Sequence, residues 1–267
     1  MRLAISSIAW PTEQETDVAT LLQRQGVDAV EIAPTKIWPQ PLQASSEEIL
    51  KYRRFWEDRG IQVVAMQALL FGRLDLVLFG SSEIRTQALE YLKGIVWLGA
   101  QLGAGALVFG SPKNRTRGDL SMEQAMPIAI AFFRELGDYA AEQKTCVVLE
   151  ANAPQYGCDF IVNSDEAADL VHAVGSEGFS LHLDIACMEM AGENPVEQVL
   201  RYKDRIRHFH ASAPFLAPVK YREEFRHLRQ ALQGYNKCVS IEMKPPEDPS
   251  QTLFQIETAL KAGQQLI

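Results

Sequence analysis

Two hydrophobic rhythms alternate along this chain. Short apolar runs recur eight times, at Leu3–Ile8, Ala29–Ala33, Gln62–Gln67, Ala106–Phe109, Cys146–Glu150, Ser180–Asp184, Ile206–His210 and Val239–Met243. Runs of this length predict buried strands. Between them lie longer stretches with apolar residues three or four apart, which predict amphipathic helices. These are Glu13–Gln25, Ser46–Arg59, Ser82–Leu102, Ser121–Gln143, Ser164–Val174, Pro195–Lys203, Tyr221–Leu232 and Ser250–Lys261. Gly26 and Gly60 stand where the first two should stop, since glycine takes the left-handed conformation of a helix C-terminus without a steric penalty. Pro127 falls in the first half of the fourth helix and predicts a kink there.

Eight strand–helix units with no low-complexity linker between them predict a parallel sheet with helical crossovers. Eight such units in 267 residues match the size of a closed (β/α)8 TIM barrel, read as one α/β domain over residues 1–267. A doubly wound open sheet is the alternative. No G-x-G-x-x-G follows the first strand, which counts against its dinucleotide-binding form. The glycines of the stretch 99–110 read as the end of a helix running into a strand.

Composition narrows the class. The chain is 47% apolar and 22% charged, the mix of a soluble globular protein, and is long enough to build a core without disulfide or metal staples. Its 26 basic and 34 acidic side chains leave a net charge of −8, which argues against a nucleic-acid partner. The basic clusters are short, at 113–117 and 201–207, and the second reads as a solvated helix end. Four cysteines, none in a C-x-x-C pair, fit free thiols in a reducing compartment. The N-terminal apolar run is interrupted by Ser6 and Ser7 and reads as a strand rather than a signal peptide. No apolar stretch reaches bilayer-spanning length. The expectation is a soluble, cytoplasmic protein with no membrane partner.

In such a barrel, chemistry gathers at the C-terminal ends of the strands. Four consecutive strands deliver an ionisable group there: Glu150, Asp184, His210 and Glu242. One terminal carboxylate alone is ordinarily a salt-bridge partner. Three carboxylates and an imidazole converging on one point are hard to explain as structure, because burying unpaired charge is expensive and a divalent cation resolves it. The mixed oxygen and nitrogen set suits Mn²⁺, Mg²⁺ or Co²⁺, and also admits Zn²⁺.

The text around these residues, V-V-L-E at Glu150, L-H-L-D at Asp184, H-F-H at His210 and S-I-E at Glu242, resembles the xylose-isomerase-like TIM-barrel superfamily of sugar and sugar phosphate isomerases and epimerases. It is most similar to the ketose 3-epimerases. The resemblance runs through all eight repeats and is strongest from Thr145 to Lys244. It implies a metal held by Glu150, Asp184, His210 and Glu242. It also implies that Glu150 and Glu242 act as acid and base on opposite faces of a sugar carbon. The physics agrees: a cation chelating a carbonyl and its neighbouring hydroxyl acidifies the C–H between them and stabilises the enediolate. A carboxylate on each face can then remove a proton and return one. One position departs from the pattern: where the ketose epimerases carry a substrate-contacting histidine three residues after the strand-six aspartate, this chain has Cys187.

Other polar groups sit at or near strand ends. Glu31, Gln67 and Asn152 follow the same logic, and Gln67 and Asn152 are candidate substrate contacts. His182 lies two residues before Asp184 and points the same way, either as a substrate contact or as a neutral residue deeper in the barrel. His208 has the same relation to His210 and reads as a group that orients a metal ligand. Lys113 and Arg115, on the loop after strand four, suit an anionic substrate group, though ordinary surface charge accounts for them equally well. Lys244, two beyond Glu242, is within reach of the same pocket. Trp10 and Trp38 follow the first two strands and either face a sugar or pack. Tyr156 and Phe215 lie in loops suited to a lid.

The leading expectation is therefore a metal-dependent sugar isomerase or epimerase acting on a small, neutral or anionic sugar derivative. An inosose-type dehydratase needs the same metal, base and acid. An endonuclease is disfavoured by the acidic charge and the five histidines, two of which fall in helices. A non-catalytic sugar-binding barrel would keep the pocket without needing both glutamates. Homo-oligomers are common among such barrels and are the remaining partner to consider.

Overall fold

Pairing of the apolar runs in chain order closes them into a ring. The computed structural model covers residues 1–267 and forms a closed barrel in which each strand pairs in parallel with its sequence neighbour and the last pairs with the first. The strands are β1 (Arg2–Ser6), β2 (Ala29–Ile32), β3 (Gln62–Met66), β4 (Ala106–Phe109), β5 (Val147–Glu150), β6 (Phe179–Asp184), β7 (Ile206–Ser212) and β8 (Cys238–Glu242). Most boundaries match the sequence expectation closely. β1 stops early because Ser6 Oγ accepts from the Ile8 backbone N–H, turning 7–9 into a 3₁₀ turn. β7 runs two residues further than its apolar pattern, to Ser212.

The helices are α1 (Glu15–Arg24), α2 (Pro34–Ile37), α3 (Ser46–Glu57), α4 (Ser82–Leu102), α5 (Met122–Glu142), α6 (Ser164–Val174), α7 (Ile185–Met190), α8 (Pro195–Tyr202), α9 (Glu224–Ala231) and α10 (Thr252–Gly263). Ser45 and Ser121 close reciprocal capping boxes with Glu48 and Gln124. α5 continues through Pro127 rather than ending there. Pro127 and Glu123 both lie on its exposed face, where water can satisfy the carbonyl that proline leaves without a donor. The short α2 and α7 fall outside the sequence reading, since four and six residues are too few to show a 3.6-residue repeat.

The main core lies between sheet and helices. The barrel interior is split. On β3 to β5 it is small and apolar, with Ala65, Ala106, Val108, Cys146 and Val148 in one cluster. On the other side it is polar: Glu31, His182, His208, His210 and Ser240 are all buried. Glu31 of β2 touches His208 and His210 of β7. Those strands are not neighbours in the ring, so these contacts cross the lumen. No helix is long and apolar enough to cross a membrane.

Candidate metal centre at the barrel mouth

Side chains alternate along a strand, so residues at matched levels of neighbouring strands meet on one side of the sheet. The register pairs Asp184 with His210, and places Glu150 beside His182 and Glu242 beside Ser212. Glu150, Asp184, His210 and Glu242 each bring one ligand atom within 4.8 Å of the others. Three are buried, and Glu242 keeps 14% of its side chain exposed.

Each carboxylate is positioned differently. Asp184 caps α7: its Oδ1 accepts from the Cys187 N–H at 2.6 Å, and its Oδ2 accepts from Ser212 Oγ. Glu242 Oε1 accepts from Gln67 Nε2 at 2.7 Å. Glu150 lies against the backbone of Gly110, where a Cβ would fall 2.2 Å from its Oε2. His210 is held from below, with Nε2 3.0 and 3.2 Å from the Glu31 carboxylate oxygens. Its Nδ1 points toward Glu242 Oε2 at 3.5 Å and Asp184 Oδ2 at 3.9 Å, and has no hydrogen-bond partner.

The electrostatics follow from burial and crowding. Burial, then the charges of Asp184 and Glu242, pushes the Glu150 carboxyl up to about 8. Burial, then the charge of Glu242, pushes Asp184 up to about 6. Burial alone would lower His210, but the charges of Glu31 and Glu242 outweigh it and hold the imidazole well above its ordinary value. Burial likewise opposes ionisation of Glu31, yet His210 and His208 hold that carboxyl well below its usual range. His182 goes the other way: burial, then His210 and His208, keeps it neutral. Three carboxylates crowded around a buried, unpartnered ring nitrogen could hold a divalent cation, and the residues present fit one.

Beside this cluster lies a cavity of about 150 Å³ lined by Glu150, Asp184 and Glu242 together with Pro112, Asn152, Tyr156, Ala186, Cys187, Ser212, Ala213 and Leu216. Its roof ties three loops together. The Phe215 N–H donates to Tyr156 Oη at 2.9 Å, the two rings stand 5.6 Å apart, and the Lys244 N–H donates to the Leu216 carbonyl at 3.0 Å. Phe215 and Leu216 take left-handed backbone angles, φ 60° and 57°, to make this cover.

The remaining candidates divide. Asn152 lines the cavity, whereas Gln67 does not and instead donates to Glu242. Cys187 Sγ sits 3.6 Å from Asn152 Nδ2 and 4.0 Å from Glu150 Oε1, and burial pushes its thiol up strongly. Arg115 is fully buried behind Asn152, to whose Oδ1 its Nη2 donates at 2.8 Å; its Nε and Nη1 have no partner and it does not line the cavity. Lys113 is exposed in the 3₁₀ turn Pro112–Arg115, also off the cavity wall. The Lys244 side chain is exposed. His182 lies in the lumen, its ring 4.2 Å from that of His210, with neither nitrogen partnered. Trp10 is buried against Trp56 at 6.4 Å, and Trp38 packs on Tyr52 at 5.5 Å. Ser212 falls outside the sequence reading, and Gly110 enters it only among the glycines of 99–110. Ser212 carries a usable signal, being two residues past His210 on the same strand face; nothing in the sequence ties Gly110 to Glu150.

Comparison with known proteins agrees with this architecture. The model of one protein family, the xylose isomerase-like TIM barrel, matches residues 19–259. No curated protein matches the sequence. Among solved structures, D-psicose 3-epimerase with D-tagatose from Clostridium cellulolyticum H10 superposes with a TM-score of 0.81 at 15% identity, covering 100% of this chain and 98% of that one. The IOLI protein with a binding zinc atom gives 0.77 at 20% identity, with 100% and 98% covered. The probable 3-DHS dehydratase AsbF from Bacillus anthracis gives 0.71 at 14% identity, with 99% of each covered. At these identities the likeness is one of fold.

Proposed function

Since the chain belongs to the family of xylose isomerase-like TIM barrels, we propose that it is a metal-dependent isomerase or epimerase of a small, uncharged sugar, with Glu150 and Glu242 moving the proton. One observation carries this reading: two carboxylates from separate strands, β5 and β8, line the same small cavity beside an otherwise unbalanced His210 Nδ1. A divalent cation held by Glu150, Asp184, His210 and Glu242 would polarise a substrate ketone and its neighbouring hydroxyl and stabilise the enediolate.

The protein's own groups supply the rest. Glu242, held at Oε1 by Gln67, takes the proton from the carbon next to the carbonyl. Glu150, from β5 on the other side of the cavity, returns one from its own side, and the two carboxyls reset through solvent. The Asn152 amide and Ser212 hydroxyl offer hydrogen bonds to substrate hydroxyls. Tyr156 and the Phe215–Leu216 cover keep bulk water from the intermediate. The uncharged substrate follows from the lining: Lys113, Arg115 and Lys244 all stay off the cavity wall, so no basic side chain there awaits a phosphate or carboxylate. A dehydratase would use the same abstraction but pass the Glu150 proton to a departing hydroxyl.

The test is to load the protein with Mn²⁺, Co²⁺, Mg²⁺ or Zn²⁺ and incubate it with neutral ketoses in D₂O. Deuterium beside the carbonyl with the substrate formula otherwise intact is the expected result, lost in Glu150→Gln and Glu242→Gln; general acid–base groups of this kind contribute roughly 10²–10⁴-fold. Loss of water from the product would identify a dehydratase. Absence of exchange with every ketose, or exchange undiminished in both variants, would overturn the reading.

A further inference from the structure

Glu31 has no part in the proton transfer proposed above and does not line the cavity, yet it is a fully buried carboxylate in the barrel lumen. Its two oxygens lie 3.0 and 3.2 Å from His210 Nε2, and His208 Nε2 approaches Oε1 at 3.4 Å. An ionised carboxylate only accepts hydrogen bonds, so the hydrogen in the Glu31–His210 pair sits on Nε2. In the neutral ring, Nδ1 then carries the lone pair. Nδ1 is the nitrogen aimed at Glu242 and Asp184, and it has no partner.

We infer that Glu31 is a positioning residue that reaches across the lumen to fix both the tautomer and the plane of His210, so that the Nδ1 lone pair is presented to a cation held among Glu150, Asp184 and Glu242. The inference rests on the metal reading proposed above. Its contacts with His208 and His210 place this side chain on the inner face of β2, and His208 supplies a second nitrogen beside its carboxylate. A carboxylate behind a ligating histidine also raises the basicity of the ring nitrogen that faces the ion. If Glu31 served only to hold β2 against β7, its loss would lower stability and leave metal affinity alone.

Glu31→Gln separates these roles. Glutamine has the same shape, but its amide donates as well as accepts, so it can stabilise either tautomer of His210. Zn²⁺ and Mn²⁺ affinities would be measured by competition with a chromophoric chelator for wild type and Glu31→Gln. The ring tautomer would be read from long-range ¹H–¹⁵N spectra of the metal-free wild-type protein at alkaline pH. The expected result is a wild-type His210 with its hydrogen on Nε2, and a folded variant that binds both ions roughly 10–100-fold more weakly. A wild-type His210 with its hydrogen on Nδ1 would overturn the inference. So would a folded Glu31→Gln protein whose affinity stays within about twofold of wild type, well short of the loss expected from removing such a partner. If wild type itself bound neither ion, the metal reading would fall, and the tautomer spectrum would still decide whether Glu31 sets the ring.

Discussion

Gln67 at the end of β3 donates to Glu242 at the end of β8 across the barrel mouth, at 2.7 Å. The two strands are not neighbours in the ring, so the bond fixes a carboxylate that its own strand leaves free to rotate. With Oε1 engaged, Oε2 is the oxygen turned toward His210. Gln67→Leu removes the donor and little volume. A hydrogen bond to a charged group contributes about 1.5–3 kcal/mol, so kcat/KM should fall roughly 10–150-fold. Steady-state kinetics on whichever ketose shows exchange would check this; an unchanged kcat/KM would mean that the bond does not orient the working carboxylate.

Gly110 should tolerate alanine in its backbone and not in its surroundings. Its φ is not in the left-handed region, but the added methyl would fall 2.2 Å from Glu150 Oε2. The atom in the way is the tip of a side chain, so the fold can survive while Glu150 is displaced. Gly110→Ala should shift stability by at most about 1–3 kcal/mol, in the range of ordinary overpacking, and should weaken metal binding and turnover together. Thermal unfolding set beside a metal titration tests this; normal metal affinity in the variant would show that Glu150 can retreat without leaving the cluster.

Metal-free protein should lose stability as the solution becomes alkaline. Glu150 is raised from 4.5 to about 8 and Asp184 from 3.8 to about 6, so the folded state holds protons that the unfolded chain has released. Their contribution is complete below the unfolded values and is lost as pH rises through about 6 and then about 8. His210 has the same sign, since its value is raised. Glu31, lowered, works in the opposite direction and only below its ordinary range. A tenfold difference in proton affinity between folded and unfolded chain is worth about 1.4 kcal/mol, and each kcal/mol moves Tm by roughly 2–4 °C in a chain near this size. Tm after chelation should therefore fall by several degrees between mildly acid and mildly alkaline pH, with a shallower slope in Glu150→Gln. A flat or rising profile in the metal-free wild type would contradict the assignment.

The four strand ends are legible in the sequence because each is a local event: an apolar run followed by one ionisable residue. The closed ring is legible because eight such units recur in one chain. Contacts across the lumen are not. Glu31 reads in sequence only as one more polar strand end, and its partner His210 lies 179 positions away. The alternation argument also has a limit, which Lys244 shows. It applies while the strand lasts, and β8 ends at Glu242, so the residue two beyond is free to turn outward. Arg115 illustrates another limit: a basic residue in a loop reads as a surface group until the turn at 112–115 carries it inside.

Asp184 holds both of its oxygens in place before any ion or substrate arrives, one on the first turn of α7 and one on Ser212 of β7. The carboxylate is thus a junction where a strand ends, a helix begins and a neighbouring strand is clasped. Preorganisation of this kind spares a ligand the entropy of ordering the group that receives it. It also makes the aspartate a poor place to dissect the protein, because removing it unmoors the Cys187 wall of the cavity along with the charge. Loss of occupancy and loss of architecture would then arrive as a single phenotype, so the site is better probed through Gln67, Gly110 and Glu31, which support it without terminating an element of the fold.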